Sequence, residues 1–211
     1  DPVLLITGAS SGIGAATARA AAENGYRVVL AARSEDSLQS LKEELGGDRA
    51  ISVQCDVQSS EDQKAMVERA LEAFGQIDAV FANAGRGGSP GGFSGADTDA
   101  WRDMILTNVY GVGLTLQHCL PALKESRGHL LLTGSAAGRT TIGYGVREEL
   151  RGTGVRVTLI EPGMVDTPFF DEPPERALKP DDIANAVVYA LSQPAHVDVN
   201  EILVRPTPPI E

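Results

Sequence analysis

The sequence has few cysteines and few cationic side chains for its 211 residues. Its two thiols, Cys55 and Cys119, form no C-x-x-C pair, so neither a disulfide framework nor a thiolate metal site is indicated. We expect both to lie reduced in the core, as free cysteines usually do. Eighteen Lys and Arg residues face 29 Asp and Glu residues, which gives a net charge of −11 and a surface that repels phosphate backbones. No nucleic-acid partner is therefore expected.

Long hydrophobic runs are also absent. Stretches such as residues 28–32 and 130–132 are far shorter than the ~20 apolar residues of a membrane-spanning helix, so no membrane partner is expected. The first residues carry neither the basic region nor the cleavage site of a secretory signal, which predicts a cytoplasmic protein. The histidines lack ligand spacing, so no metal site is predicted; they are His118, His129 and His196.

Apolar runs rich in β-branched residues alternate with amphipathic segments along the chain. This alternation predicts βαβ units with a parallel sheet, and continuously apolar strands are typical of a sheet that helices cover on both faces. We therefore predict a doubly wound α/β fold in a single domain, residues 1–211. The predicted strands are residues 3–7, 27–32, 50–55, 77–82, 129–133, 155–160 and 201–204. Predicted helices include those after Ser34 and after Ser59-Ser60, and those over residues 109–123 and 180–191.

A glycine-rich segment follows the first predicted strand directly and opens a predicted helix. It reads Thr7-Gly8-Ala9-Ser10-Ser11-Gly12-Ile13-Gly14. Glycines at such a turn let the backbone approach a pyrophosphate closely, while free N–H groups and the positive end of the helix dipole point at it. The segment predicts a dinucleotide site, and the alternative is a glycine-rich turn with no ligand. The predicted cofactor contacts are Gly8, Ser10, Ser11, Gly12, Ile13 and Gly14.

Further motifs follow in a fixed order. They are Cys55-Asp56-Val57 after the third predicted strand, Ala82-Asn83-Ala84-Gly85 after the fourth, Asn108 within a helix, Ser135 after the fifth strand, and Glu161-Pro162-Gly163-Met164-Val165-Asp166-Thr167 after the sixth. With the G-x-x-x-G-x-G spacing of the glycine segment, this order resembles the short-chain dehydrogenase/reductase family over nearly the whole chain. The resemblance implies a Rossmann-like, mostly parallel seven-stranded sheet flanked by helices, with a nicotinamide dinucleotide as cofactor.

The resemblance also implies where each motif would hold the cofactor. Asp56 and Val57 would contact the adenine. The centre of the cofactor cleft would be held by Asn83, Ala84 and Gly85, although asparagine is also common in turns with unusual backbone angles. The nicotinamide side would be lined by Pro162, Gly163, Val165 and Thr167. All of these motifs follow strand ends, where open parallel sheets bind ligands.

The end of the second predicted strand bears on the choice of cofactor. An NAD site usually places a carboxylate there to accept hydrogen bonds from the ribose hydroxyls, whereas this chain has Ala32 followed by Arg33. A guanidinium suits a bidentate grip on a 2′-phosphate and stacking on adenine, so NADP(H) is favoured over NAD(H). The alternative is a solvated Arg33 paired with Glu35 or Asp36. Because the glycine segment contributes no cation, we expect the selectivity to be moderate.

The resemblance implies four catalytic residues, Asn, Ser, Tyr and Lys, the last two spaced Y-x-x-x-K, and the sequence supplies the first two. Ser135 would hydrogen-bond the substrate oxygen, and Asn108 would fix its helix and a relay water. The tyrosine must donate a proton, and a neighbouring ammonium must lower its pKa from about 10. Tyr144 lies only nine residues after Ser135, short of the family's spacing of about a dozen, and Glu148 stands where the lysine would be. A carboxylate there would raise the pKa of a phenol.

Two segments of the family's pattern are short in this sequence. Roughly twenty residues are absent near positions 142/143, which leaves two or three turns for a crossover helix, and the substrate lid is short near positions 170/171. Two interpretations follow. In the first, the protein is an NADP(H)-dependent oxidoreductase acting on a small-molecule carbonyl or alcohol, with Tyr and Lys in a segment that this sequence does not contain. In the second, it is a non-catalytic dinucleotide-binding module.

Two further features bear on assembly and on the substrate. The helix predicted over residues 109–123 has a broad apolar surface, and its counterpart in the resembling family forms a dimer interface. By that analogy we expect a homo-dimer or homo-tetramer. Phe169 and Phe170 either cap the substrate pocket, where an apolar wall would exclude water, or anchor the chain by plain hydrophobic packing.

Overall fold

The computed structural model places seven strands in one sheet. It describes residues 1–87, 95, 97–134, 141–170 and 176–207, with the backbone only at 141–144. The strands are β1 (Val3–Thr7), β2 (Arg27–Ala32), β3 (Ala50–Gln54), β4 (Ala79–Ala82), β5 (His129–Thr133), β6 (Arg156–Pro162) and β7 (Glu201–Val204). The helices are α1 (Gly12–Glu23), α2 (Glu35–Leu45), α3 (Ser60–Phe74), α4 (Thr98–Ile105), α5 (Gly111–Ser126), α6 (Thr141–Glu149) and α7 (Pro180–Ser192). A π-helical turn (Leu106–Tyr110) joins α4 to α5.

The strand order is β3-β2-β1-β4-β5-β6-β7, and every pairing is parallel. The chain builds outward from β1 to β3 and then crosses back to place β4 on the other side of β1. The boundary between β1 and β4 is thus a topological switch point, where doubly wound sheets bind their ligands. The predicted Rossmann-like, doubly wound α/β fold is confirmed.

The sheet separates two hydrophobic layers. On one face Leu5 and Val80 pack with residues of α3, α5 and α6. On the other face Ile6 and Phe81 pack with residues of α1, α2 and α7. All four side chains are fully buried. Adjacent residues of one strand therefore serve opposite layers, which is why the strands are continuously apolar in sequence.

The helix predicted over residues 109–123 is part of a longer helical segment. That segment begins in α4 and passes through the π-helical turn into α5. The sequence places Asn108 within a helix, but its apolar pattern does not define the first part of this segment. No residue of α4 or of the π-helical turn is buried, so a core-facing period is absent there. Several apolar side chains of this part are exposed, including Trp101, which is 42% exposed. By contrast, α6 has nine residues, which is the short crossover helix that the sequence predicts.

The two cysteines lie in the core, as predicted. Cys55 and Cys119 are free and buried, and burial raises the pKa of each thiol to about 12. The neighbouring carboxylates Asp62 and Asp56 raise the pKa of Cys55 further. A thiol that stays protonated at neutral pH is a poor nucleophile, so both act as packing residues. Within the described residues, no helix has the length and hydropathy needed to cross a membrane.

Candidate functional site

The glycine turn, defined as residues 7–14, leads from β1 into α1 at the switch point. Gly8 and Gly12 have φ angles of 68° and 52°, a backbone region that favours glycine. A Cβ on Gly8 would lie 2.8 Å from the Cα of Ala84, and a Cβ on Gly14 would lie 2.2 Å from the carbonyl oxygen of Gly8. The turn therefore folds closely on itself and against the segment after β4 only because these positions lack side chains.

The first turn of α1 presents N–H donors at the edge of the sheet. The N–H of Ala15 donates to the carbonyl of Ser11 at 3.2 Å. The N–H groups of Gly12, Ile13 and Gly14 precede that bond and have no intrahelical acceptor. Ser11 precedes the helix without a side-chain capping bond. Free N–H groups and the positive end of a helix dipole bind phosphate oxygens, so this end of α1 fits the pyrophosphate of a dinucleotide.

Asn83 ties together the ends of three strands. Its side-chain Nδ2 donates to the carbonyl of Thr7 at 3.1 Å, and its Oδ1 accepts from the hydroxyl of Thr133 at 3.2 Å. The Thr7 hydroxyl in turn accepts the Asn83 N–H at 3.1 Å. Among the described non-glycine residues only Arg127 has a positive φ, so Asn83 does not occupy a left-handed turn. The side chain instead fixes the centre of the predicted cleft.

Asn108 lies in the π-helical turn and holds the backbone of Arg86. Its Nδ2 donates to the Arg86 carbonyl and its Oδ1 accepts the Arg86 N–H, both at 2.9 Å. The Arg86 guanidinium pairs with Asp103, whose Oδ1 also accepts from Nε2 of Gln58 at 2.6 Å. What the structure shows for Asn108 is thus a positioning contact, and its catalytic role stays a prediction.

Arg33 follows β2 at the same edge of the sheet and is exposed. In the part of the chain that the structure describes, no ion pair joins its guanidinium to Glu35 or Asp36. The preceding Ala32 is 8% exposed and brings no carboxylate to this edge. The guanidinium is therefore available to an anionic ligand.

Asp56 and Val57 follow β3, the strand beside β2. Oδ1 of Asp56 accepts the N–H of Gln58 at 3.0 Å, which fixes the carboxylate over its own turn. Val57 is 9% exposed and packs against Gly111, where a Cβ would lie 2.9 Å from Cγ2 of Val57. Both residues predicted to contact adenine thus lie in a rigid turn on the Arg33 side of the edge.

The chain after β6 carries the residues predicted for the nicotinamide side. Pro162 ends β6 and is buried, and the N–H of Gly163 donates to the carbonyl of Val204 at 2.7 Å. Val165 is 3% exposed and forms a single parallel bridge with Leu178. These contacts anchor residues 163–165 and Leu178 at the edge of the sheet.

The same segment then reaches the glycine turn. A Cβ on Gly12 would lie 3.1 Å from Cγ2 of Thr167, so the two residues are in close contact. Two residues later, the carbonyl oxygen of Phe169 lies 3.3 Å from the Cβ position of Gly87, beyond β4. The fold therefore brings together Gly12, predicted for the pyrophosphate, and Thr167, predicted for the nicotinamide side of the cofactor.

An open groove of about 510 Å³ runs beside the glycine turn, between the N-terminal ends of α1 and α7. Its charged lining has both signs; the residues are Arg19, Asp166, Lys179 and Asp181. The Arg19 Nε and Nη2 donate to Glu44 at 2.7 and 2.8 Å, and this hydrogen-bonded carboxylate raises the pKa of Arg19. The groove therefore adds little net positive charge beside the turn.

Part of the predicted catalytic group falls outside the described residues. Ser135 is one such residue, and so is the side chain of Tyr144. Glu148 is described and exposed, and its carboxylate accepts a hydrogen bond from Arg151 at 2.9 Å. Nowhere in the described ranges do three or more His, Cys, Asp or Glu side chains gather closely enough to hold a metal ion.

The sequence pattern of the short chain dehydrogenases matches residues 2–146. The chain belongs to this family. An uncharacterized oxidoreductase of Staphylococcus aureus is 39% identical over 226 aligned positions, which cover 98% of this chain and 97% of the relative. The aligned length exceeds the 211 residues of this short-chain dehydrogenase. The relative therefore has residues at aligned positions where this chain has none.

Solved structures of similar proteins extend the likeness to the whole fold. A 3-ketoacyl-(acyl-carrier-protein) reductase from Brucella melitensis, complexed with NADH, superposes with a TM-score of 0.89 at 28% identity, over 97% of this chain and 96% of that one. An alcohol dehydrogenase from Thermococcus sibiricus, complexed with 5-hydroxy-NADP, gives a TM-score of 0.88 at 34% identity, over 100% and 99%. This short-chain dehydrogenase therefore shares its architecture with proteins that bind either form of the cofactor.

Sequence reasoning missed the contacts that join the residues of the site. Thr7 and Thr133 each end a central strand and meet at Asn83, although the three are far apart along the chain. A threonine at the last position of two central strands was the available signal. For the pairing of Arg86 with Asp103 no local signal exists, because it depends on how α4 lies over the edge of the sheet.

Proposed function

We propose that this short-chain dehydrogenase is an NADP(H)-dependent oxidoreductase that transfers hydride between the nicotinamide and a small carbonyl or alcohol. The observation that carries the proposal is the convergence of the glycine turn, the free N–H groups of α1 and Thr167 at the switch point of the sheet. This is where a doubly wound fold binds a dinucleotide.

Arg33 supports the phosphorylated form of the cofactor. Its exposed guanidinium follows Ala32, so the edge offers a phosphate-binding fork and lacks the carboxylate that would repel a 2′-phosphate. The similar alcohol dehydrogenase from Thermococcus sibiricus was solved with 5-hydroxy-NADP, whereas the similar Brucella melitensis reductase was solved with NADH. The relatives therefore allow both forms, and the preference rests on residues 32 and 33.

Each predicted contact has a place in this proposal. Gly12, Ile13 and Gly14 would donate to the pyrophosphate, and Thr167 would lie on its nicotinamide side. The bound cofactor would supply or accept the hydride. Ser135 would donate a hydrogen bond to the oxygen on which negative charge develops, an oxyanion-type stabilisation.

A second candidate function is dinucleotide binding without catalysis. It is favoured by one observation: none of the four tyrosines is followed by lysine at the fourth position, and Tyr144 is followed there by Glu148. The positions that the Staphylococcus aureus relative fills and this chain leaves empty support the same candidate. A phenol beside a carboxylate has a raised pKa and donates poorly to an alkoxide that forms near neutral pH.

One experiment separates the candidates. The 211-residue chain is titrated with NADPH and NADH by fluorescence and is then assayed with a panel of ketones and aldehydes. We expect NADPH to bind tightly under both candidates. Turnover supports the oxidoreductase, and turnover abolished by Tyr144→Phe would show that the chain carries its own acid. Binding without turnover, which the missing Tyr and Lys pair would cause, supports the binding module. Absence of binding to either cofactor would contradict both candidates.

We further propose that the chain assembles as a homo-dimer or homo-tetramer. An apolar stripe on α4 and the π-helical turn supports this, since Trp101, Ile105 and Val109 recur every four residues and are 42%, 43% and 51% exposed. Light scattering on the purified chain measures the mass. We expect a multiple of 22.2 kDa, and Ile105→Lys should reduce it to that value.

A further inference from the structure

Glu161 is a buried carboxylate at the edge of the sheet where the cofactor is proposed to bind. It is the residue before last in β6 and is 6% exposed. Its Oε1 is fully buried and has no hydrogen-bond partner among the residues that the structure describes. Two residues later, Gly163 begins the segment that carries Thr167 to the glycine turn.

The strand pairings show why Oε1 of Glu161 has no partner among the described residues. On one side of β6, Ile160 pairs with Thr133, and the next residue of that chain is Gly134, whose N–H donates to the Ile160 carbonyl at 2.7 Å. On the other side, Glu161 pairs with Leu203 of β7. Gly134 has no side chain and Leu203 is apolar, so neither neighbouring strand supplies a donor to the carboxylate.

The sheet face on which Glu161 lies gives it no partner either. Along β6, Glu161 alternates with Val157 and Leu159, so the three side chains share one face. Val157 and Leu159 pack there in an apolar cluster with Val146 of α6. Among the residues that the structure describes, the layer that covers this face near β6 is therefore hydrophobic, and Oε1 of Glu161 finds no donor in it.

Two partly buried carboxylates elsewhere in this chain are satisfied. Asp78 accepts the backbone N–H of Val3 at 2.7 Å, and Asp62 accepts the N–H of Asp56 at 2.9 Å. Each of them joins two elements of the fold, whereas Oε1 of Glu161 has no partner among the described residues. Because an unsatisfied buried carboxylate costs stability, its presence at a ligand-binding edge indicates that a ligand supplies the donor.

We propose that Glu161 is a substrate-binding residue that accepts a hydrogen bond from an ammonium or hydroxyl group next to the reacting carbon. This inference rests on the proposed function, since it assigns the substrate class of the same site. The favoured substrates are amino alcohols or diols and their carbonyl counterparts. Alcohols with an alkyl group in place of the donor leave the carboxylate unsatisfied and bind more weakly.

Three ligands of nearly equal shape test the proposal: 1-amino-2-propanol, 1,2-propanediol and 2-butanol. The dissociation constant of each is measured by NMR titration of the 211-residue chain, with and without saturating NADP⁺. We expect 1-amino-2-propanol to bind at least tenfold more tightly than 2-butanol, with 1,2-propanediol between them. Preference for the amine alone identifies an ammonium ligand, and equal preference for amine and diol identifies a hydrogen-bond donor of either charge. Equal affinities for all three ligands overturn the proposal.

The variant Glu161→Gln locates the effect, and Glu201→Gln on the neighbouring strand is its matched control. Glu201 pairs with Leu159, so it lies on the same sheet face, but it is exposed. We expect Glu161→Gln to remove the preference for the amine, to leave the NADPH dissociation constant unchanged and to keep or raise the midpoint of urea unfolding. The control should retain the preference. An amine preference retained in Glu161→Gln overturns the proposal, as does lost stability with an unchanged preference.

Cofactor binding tests the proposed function separately from the role of Glu161. NADPH binding is measured first, and a chain that binds no cofactor contradicts the proposed function whatever the alcohols show. If the chain binds NADPH and binds the three alcohols with equal affinity, the proposed function still holds and only the role of Glu161 is contradicted. Should Glu161→Gln fail to fold, the ligand series on the unaltered chain still decides the question.

Discussion

The carbonyl oxygen of Gly8 occupies the space in which a side chain on Gly14 would begin. A Cβ on Gly14 would lie 2.2 Å from that oxygen and 2.8 Å from Nδ2 of Asn83. Hydrogen bonds tie the two neighbours to each other and to β1, because Nδ2 of Asn83 donates to the carbonyl of Thr7 at 3.1 Å and to that of Gly8 at 3.4 Å. The close approach of α1 to the end of β1, which creates the candidate phosphate site, therefore depends on this one glycine.

Gly14→Ala should destabilise the chain and weaken cofactor binding. The added methyl group meets backbone that cannot move without opening the turn, so we expect a loss of about 2–4 kcal/mol in the free energy of unfolding. The NADPH dissociation constant should rise at least tenfold. Urea denaturation and fluorescence titration measure the two effects. Gly113→Ala is the matched control, because Gly113 lies within α5 with open space at its Cβ position, and it should gain about 1 kcal/mol. Equal effects of the two variants would contradict the packing argument.

Replacing Asn108 with aspartate should lower the free energy of unfolding more than replacing it with alanine. Asn108→Ala removes both hydrogen bonds to the backbone of Arg86 and should cost about 1–2 kcal/mol in the free energy of unfolding. Asn108→Asp keeps an acceptor for the Arg86 N–H but sets a negative oxygen against the Arg86 carbonyl, so it should cost more. Asn185→Ala on the exposed side of α7 should have almost no effect. Thermal unfolding of the three variants gives the order, and an aspartate variant more stable than the alanine variant would falsify the contact.

His129 should make the chain lose stability in mild acid. It is 2% exposed, and burial, with a smaller contribution from Arg156, lowers its pKa to about 3. Because the histidine of the unfolded chain has a pKa near 6.5, the unfolded state binds a proton first. The stability contributed by neutral His129 is therefore present above pH 6.5 and is lost as the pH falls toward 3. Between pH 7.5 and pH 5 the loss should be about 2 kcal/mol.

The variant His129→Gln isolates this contribution. The hydroxyl of Thr158 donates to the carbonyl of Val199 at 2.6 Å, so Nε2 of His129 donates to that hydroxyl at 2.7 Å. Glutamine retains a donor and does not titrate. Urea denaturation at pH 7.5 and pH 5 should show a loss smaller by about 2 kcal/mol in this variant. His196→Gln, an exposed control, should follow the unaltered chain, and a pH profile unchanged by His129→Gln would refute the assignment.

The strands, the helices after Ser34 and Ser59, and the glycine turn can be predicted from the sequence because each follows a local pattern. Continuous apolar runs predict all seven strands to within two residues, and Ser34 and Ser59 immediately precede α2 and α3 as predicted. The glycine turn is also local, since strand, turn and helix are consecutive. These features depend on backbone propensity and burial, which act within a few residues.

The contacts that join the site depend on strand order, which no local pattern encodes. Asn83 reaches Thr7 and Thr133 only because β4 lies between β1 and β5. The isolation of Glu161 follows from its neighbours in register, Gly134 and Leu203, which are far from it along the chain. Alternation along β6 places Glu161 on the same face as Val157 and Leu159, but it does not show whether a hydrogen-bond donor faces the carboxylate.

The cofactor preference should depend on two adjacent residues at the end of β2. The guanidinium of Arg33 would bind the 2′-phosphate, and Ala32 brings no carboxylate to repel it. We therefore expect NADPH to bind more tightly than NADH. Arg33→Ala should weaken NADPH binding by about 1.5–3 kcal/mol, the contribution of a charged hydrogen bond, and should leave NADH binding nearly unchanged.

Ala32→Asp should reverse the preference. A carboxylate at this position would accept hydrogen bonds from the ribose hydroxyls of NADH and repel the 2′-phosphate of NADPH. Fluorescence titrations of both cofactors against both variants measure the changes, and Arg69→Ala, an exposed arginine of α3 that pairs with Glu72, is the control for a lost positive charge. If Arg69→Ala weakened NADPH binding as much as Arg33→Ala, the preference would arise from the overall charge of the chain. The net charge of the chain is −11, so the overall charge does not favour phosphate binding. A direct contact with the 2′-phosphate therefore requires that Arg33→Ala weaken NADPH binding and that Arg69→Ala leave it unchanged.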